Sequence, residues 1–199
     1  MAHIASIGAS MFSDLSVATP LADLSASALA ALDTASEFAA LFATEIDTVG
    51  GTKGTNTFTR VKNVREFPAM GTPPNVVNVP VYGFKSSQQI QGQSDSPSME
   101  ITLNYIPADW AKDPTNILGN MVGDGKQYVF RFSLLNSEPT GSGATKYAST
   151  SAGIGTVPNS EYYWIGKLEA LQVTPQLTDA TTATITLTIQ SAVYGAYTV

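Results

Sequence analysis

The 199-residue chain contains no cysteine. Disulfides, thiolate zinc sites, iron–sulfur clusters and cysteine nucleophiles are therefore excluded. It has one histidine, His3, beside the N-terminus, and this reads as a terminal residue rather than a ligand. A Ser-His-Asp triad or a multi-histidine metal centre has almost nothing to be built from. Charge is scarce as well: Asp, Glu, Lys and Arg make up 13% of the residues, about half the usual ~25%. A chain so poor in charge must hide surface or cover it with uncharged polar groups. No apolar run approaches the ~18 residues of a membrane-spanning helix, and no basic amphipathic segment suggests a lipid surface. The start lacks a basic region ahead of its weakly apolar residues, so no secretory signal is expected. At 20.9 kDa the chain reads as one ordinary domain, or a domain with an appendage. Folding at this size buries roughly 70% of the unfolded surface without a covalent or metal staple.

What charge there is lies unevenly. Residues 1–50 hold Asp14, Asp23, Asp33, Glu37, Glu45 and Asp47 and no Lys or Arg. The ten acids and ten bases of residues 51–199 cancel, so the whole net charge of −6 sits on the first quarter. A nucleic-acid binder is expected to show a basic excess or patch, and the counts show no excess.

The periodicity changes at the same place. Thr19-Pro20 offers a cap and a first-turn proline, and Leu21, Leu24, Ala28, Leu32, Ala35, Ala39, Phe42 and Ile46 follow in steps of three and four. That spacing predicts one face of a helix in an alanine-rich segment. Thr34 with Glu37 forms a potential capping box, which would make two helices of it. Gly50-Gly51 closes the segment, so residues 1–50 read as an acidic helical arm and 51–199 as a separate β domain.

Strands are expected over Thr57–Val64, Val76–Tyr82, Ser98–Ile106, Gln127–Leu135, Tyr162–Val173 and Thr182–Gln190. Pro80 points to an edge position or a bulge, and Gly166 to a bulge. Residues 83–97 read as a long polar connection, Asp113-Pro114 as the start of a short helix through about Met121, and 136–160 as a long Ser/Gly/Thr-rich loop. A loop of that length is usually functional or disordered. The expected fold is a β-sandwich or barrel with one flanking α-helix, preceded by the N-terminal helical arm.

The strand TATITLTIQ places Ala183, Ile185, Leu187 and Ile189 on one face and Thr184, Thr186, Thr188 and Gln190 on the other. The threonine face has no charge, whereas sheets that stay monomeric blunt exposed margins with Lys, Glu or Pro. It reads either as a solvated face or as one covered by a neighbouring subunit. Phe38 and Phe42 read either as helix-to-core packing or as anchors on another subunit.

Catalytic signatures are missing. There is no phosphate loop and no His-Glu-x-x-His, and the Gly-x-Gly triplets at 123–125, 141–143 and 153–155 read as turns. Asp109 with Asp113, or Glu161 with Glu169, suggests a glycosidase pair only in the sense that sixteen carboxylates always offer such pairs. No catalytic residue, metal ligand or cofactor is expected, and the chain does not read as an enzyme. Trp110 and Trp164, with Tyr162 and Tyr163, suggest a sugar-stacking platform as the alternative function, a glycan-binding module of a phage fibre or adhesin.

Over residues 76–105 a more specific pattern emerges. VVNVPVYGF followed by IQGQSDSPSMEITLNYIPADW resembles the major tail tube proteins of long non-contractile-tailed (siphovirus-type) bacteriophages, in which an "I-x-G-x-x-D" turn leads into an apolar–polar strand ending near Asn-Tyr. The likeness continues in KQYVFRFSLL and in YWIGKLEALQVTPQLTDATTATITLTIQSA, and covers about residues 57–195. It implies relation to contractile-tail and type VI secretion tube proteins. It also implies a homo-oligomer of hexameric rings stacked into a hollow tube in the virion tail, assembled in the host bacterial cytoplasm. Its partners would be a tape-measure protein and other tail proteins, with genome DNA passing through during ejection and no membrane involved. By the same resemblance the connection at 83–97 and the loop at 136–160 are where ring-to-ring contacts are expected, with Phe84, Lys85, Gln88, Gln89, Ile90, Gln91 and Gln93 as interface candidates beside Thr184, Thr186, Thr188, Phe38 and Phe42. Asp95, Glu100 and Asp179 are the candidates for an acidic lumen.

Overall fold

Short runs of period two, broken by Gly, Pro and Asn, leave little of this chain able to form long helices. The computed structural model describes residues 13–19, 29–68, 76–83, 85–91, 98–135, 138–139, 141–149 and 160–195. In it the fold is mainly β. The strands are β1 Asp14–Thr19, β2 Thr44–Glu45, β3 Thr57–Arg60, β4 Val64–Glu66, β5 Val76–Val79, β6 Gln88–Gln91, β7 Met99–Asn104, β8 Tyr128–Leu134, β9 Ser160–Thr174, β10 Thr182–Ile189 and β11 Tyr194–Gly195. Among the described residues three short helices accompany them, α1 Ala35–Ala40, α2 Pro107–Trp110 and α3 Ile117–Met121, and residues 29–30 are helical as well.

One sheet runs β2-β3-β1-β8-β9-β10-β7-β4, with β11 added on β9. Strands β3 and β4 lie near its opposite ends, yet only residues 61–63 join them, with Asn63 in the left-handed region at φ 64°. Asparagine tolerates that conformation. The sheet therefore rolls until its ends meet, and Phe67 just after β4 packs on Phe132 of β8 at 4.9 Å between rings. The roll turns on β9. Its first half pairs with β8 and its second with β10, and Gly166 is opposite both Tyr128 and Ile189.

A Cβ at Gly166 would lie 2.6 Å from the Thr188 carbonyl oxygen. Gly166→Ala is expected to destabilise the fold by about 1–3 kcal/mol, the usual effect of overpacking, read as a lower urea midpoint at unchanged slope. The register slip lies slightly further on than Gly166: between Thr186 and Leu187, whose β9 partners are Ala170 and Leu168, so Glu169 is the extra residue.

Alternation along the paired strands gives the sheet two buried faces. Leu15, Val17, Phe130, Phe132 and Trp164 join Met99, Ile101, Leu103, Ala183, Ile185 and Leu187 in one continuous core. Trp164 stacks on Phe130 with ring centroids 5.7 Å apart. The reverse face of β3, β1, β8 and β9 carries Phe58, Arg60, Asp14, Ser16, Arg131, Glu161 and Tyr163. Phe38 and Phe42 cover it, Phe38 stacking on Tyr163 at 5.9 Å and Phe42 tilting against Phe58 at 5.8 Å.

The first fifty residues differ most from expectation. The helix expected from Leu21 to Ile46 is reduced, from residue 35 on, to α1; residues 20–28 lie outside the described part. The capping box starts α1 as expected, with the Glu37 N–H donating to Thr34 Oγ1 (3.4 Å) and the Thr34 N–H to Glu37 Oε2 (3.1 Å). Beyond Leu41 the chain becomes extended as β2, and the Ile46 N–H donates to the Phe58 carbonyl at 2.8 Å. Strand β1 is central, antiparallel to both β3 and β8. A separate arm over 1–50 is therefore corrected for the described residues, because Leu15, Val17, Phe38 and Phe42 complete the core of the later strands.

Two smaller differences follow from turn chemistry. Asp113 holds a turn by accepting from the Thr115 N–H at 2.9 Å, and the helix begins only after Asn116, whose side chain accepts from the Gly119 N–H at 3.2 Å. The polar connection after Gly83 contains strand β6. The 136–160 loop includes a 3-10 turn at Gly143–Thr145 and the buried Ala148; residues 150–159 lie outside the described part.

Candidate assembly surfaces

Among the described residues, strands β5 and β6 pair only with each other, in register Val77↔Ile90 and Val79↔Gln88. A lone two-stranded ribbon is marginal in water. This one carries exposed Val76, Val77, Ile90 and Tyr82, the last fully bare. Between residues 76 and 91 the only charged side chain is Lys85. Of the interface candidates here, Lys85, Gln88, Gln89 and Ile90 are exposed, and Gln91 stands opposite Val76. Phe84, Gln93 and Asp95 lie outside the described residues.

The outer face of β7, β10 and β9 is the second surface. Thr184, Thr186 and Thr188 are half-exposed, alternating with buried Ala183, Ile185 and Leu187. Thr184 stands between Thr102 and Gln172, and Thr186 between Glu100 and Ala170. Glu100 is exposed beside them. The Thr188 hydroxyl donates to the displaced Glu169 at 2.9 Å. The margin of this sheet is uneven. β4 covers β7 only at Leu103 and Thr102, and carries Arg65 and Glu66. Met99, Glu100 and Ile101 have no partner strand on that side among the described residues. Asp179 lies in the exposed β9–β10 turn.

Phe38 and Phe42 are fully buried in the chain's own core, which corrects them as contacts with another subunit. Their cover shields an ionic cluster. Arg131 has no exposed surface. Its guanidinium carbon lies 4.8 Å from the ring centroids of both Phe42 and Phe58. Its Nη2 donates to Asp14 Oδ2 at 3.2 Å and to Ser16 Oγ at 3.0 Å, and its Nη1 to Ser149 Oγ at 3.0 Å. Glu161 stands 4.0 Å from Nη1 and accepts from the Tyr163 hydroxyl at 2.7 Å. Burial, then the Glu161 carboxylate, push the Tyr163 phenol upward. Arg60 joins the cluster, 3.8 Å from Asp14 and 2.7 Å from Glu45, with its guanidinium over the Tyr147 ring. Burial works against the Arg60 charge, but Asp14 and Glu45 outweigh it and raise its pKa. Lys62 pairs with Asp47 at 3.4 Å. Three carboxylates of the acidic first quarter thus meet cations of the later chain.

Sequence reasoning missed this cluster. Its signals are a lone arginine inside the aromatic strand YVFRFSL and the alternation of Asp14 and Ser16 with Leu15 and Val17.

The other chemistry is accounted for structurally. Trp164 and Trp110 are buried, so neither offers a ring face to a sugar, and the stacking platform is corrected. Glu161 belongs to the arginine cluster and Glu169 to Thr188. No group of His, Asp and Glu able to hold a metal occurs among the described residues. His3 lies outside them.

No family profile matches the chain, and no curated protein matches it. Among solved structures it is similar to the sheath/tube terminator of an extracellular contractile injection system, PVC, in its extended state. The identity is 12% and the TM-score 0.44, with 69% of this chain and 87% of that chain covered.

Proposed function

We propose that this chain is a structural subunit of a phage tail tube, one that polymerises into six-membered rings stacked as a hollow conduit. The observation that carries the reading is the β5–β6 ribbon, uncharged but for Lys85, unpaired at both margins among the described residues and bare at Val77 and Ile90. Such a ribbon is an adhesion hazard on a monomer and a natural joint in a polymer. The bare margin of β7 and the threonine face support the same reading, as does the sequence likeness over residues 57–195. The work assigned to the chain is assembly rather than catalysis. Its partners are other copies, the tape-measure protein and other tail proteins, in the virion tail.

A conduit must release DNA. Neutralising even 6–10 phosphates gives tight, salt-dependent binding. Arg60, Lys62, Arg131 and Lys146 are each tied to a carboxylate, and beside the threonines stand one lysine, Lys167, and two carboxylates, Glu100 and Glu169. A bore lined by that face would not retain a polyanion. The buried tryptophans leave the glycan-binding alternative without its stacking surface.

Negative-stain microscopy of the purified protein is expected to show rings or tubes of uniform bore. Thr184→Lys with Thr186→Lys, or Val77→Asp with Ile90→Asp, is expected to abolish them while circular dichroism stays that of the wild type. Wild-type protein that remains monomeric at every concentration, and is missing from tailed particles, would overturn the reading.

A further inference from the structure

The turn joining β9 to β10 ends in a bare apolar side chain. Leu177 is fully exposed and Val173 about two-fifths so, at 41%. From Gln172 to Thr182 the only charge is Asp179, also exposed. Elsewhere, between the start of β8 and α3, lies a depression of about 190 Å³. Its floor is the buried Ile117, Met121 and Tyr128, and its rim carries Lys53, Lys126 and Asp124. A cavity of roughly 150 Å³ accommodates a benzene molecule, so a leucine side chain fits this one. The rim is cationic in effect. Among the described residues neither lysine has a carboxylate at ion-pair distance. Asp124 is engaged by the Tyr128 hydroxyl and by the Lys126 N–H at 2.9 Å.

We propose that the β9–β10 tip of one copy seats Leu177 in this depression of the next, with Asp179 between Lys53 and Lys126. An apolar knob with one negative charge meets an apolar floor with two free ammonium groups. Because Leu177 is fully exposed, its own depression does not hold it; the occupant is a second copy of the chain. Tip and depression are different patches, so the contact is heterologous and propagates into rings or filaments. It rests on the assembly reading above and supplies one specific joint for it.

The lack of cysteine gives a clean test on the full-length chain. Leu177→Cys protein and differently tagged Asn120→Cys protein, Asn120 being on the rim, are mixed and oxidised. The mixed disulfide is expected as the main product, and neither variant paired with a wild-type chain should give any. Leu177→Asp is expected to raise the concentration for half-assembly about tenfold or more, as for a hot-spot side chain. Asp179→Lys should do the same, and adding Lys126→Asp should bring it back toward wild type. Assembly of Leu177→Asp at the wild-type concentration, with no mixed disulfide, would overturn this joint and leave the tube reading standing. A wild-type chain that never assembles would overturn both.

Discussion

A chain lacking residues 1–28 is expected not to fold. Its circular dichroism should be that of a disordered chain, and it should be lost to aggregation or proteolysis on expression. Strand β1 is paired on both sides, to β3 through Ser16↔Arg60 to Thr19↔Thr57 and to β8 through Asp14↔Ser133 to Val17↔Phe130. Removing it cuts β2 and β3 off from the rest of the sheet and exposes two strand margins. It also takes away Leu15 and Val17, at about 1.5–3 kcal/mol each, and leaves Arg131 buried without its closest counter-charge. A folded protein generally has only about 5–15 kcal/mol in reserve. Had the first fifty residues been a detachable arm, the truncated chain would fold and only its assembly would change. A cooperative thermal transition in the truncated protein would restore that view.

The second large effect is expected at Arg131. Arg131→Ala should cost about 3–5 kcal/mol, and Asp14→Ala a similar amount, because each takes the closest counter-charge from a buried ion and leaves only the longer Arg60–Asp14 (3.8 Å) or Arg131–Glu161 (4.0 Å) contact. At this chain length each kcal/mol lowers Tm by about 2–4 °C. The double variant Arg131→Met with Asp14→Leu should recover most of the loss, since a well-packed apolar pair often equals or exceeds a buried ion pair. Thermal melts of the three variants decide the matter. If the double variant is as unstable as the sum of the singles, the guanidinium contributes through its stacking between Phe42 and Phe58 rather than through Asp14. Ionic contact also fixes register: a one-residue slip of β1 would turn Asp14 to the opposite face and bring Leu15 or Val17 against Arg131.

Much of the sheet was legible from the sequence because its longer strands alternate strictly. β7, β8 and β10 lie within a residue or two of their expected ranges, since Ile101/Leu103, Phe130/Phe132 and Ile185/Leu187 each mark a face. The short elements were harder. In β1 the inward positions on one side are Asp14 and Ser16, whose burial depends on an arginine 117 positions away; no local pattern announces such a partner. In β6, Gln88, Gln89 and Gln91 read as a loop by composition, and only pairing with Val76–Val79 makes them a strand. The helical period over 21–46 is real at Phe38, but α1 stops at Ala40, and Phe42 reaches the same buried side from just beyond its end. The surfaces were legible in part. The uncharged threonine stripe is where the sequence placed it, whereas Phe38 and Phe42 belong to the interior, Phe42 over the Arg131 guanidinium and Phe38 stacked on Tyr163.

The order of the strands has a consequence for synthesis. β1 leaves the ribosome first, yet its neighbour β8 comes more than a hundred residues later, and β9 and β10 later still. The nascent chain cannot close its sheet as it emerges, and long-range pairing of this kind is intrinsically slow. Until β9 and β10 have been made, the chain holds apolar strands without their neighbours, the state most prone to aggregation. A fold closed by β9 and β10 cannot form in products truncated before them, so such products are excluded from the proposed assembly.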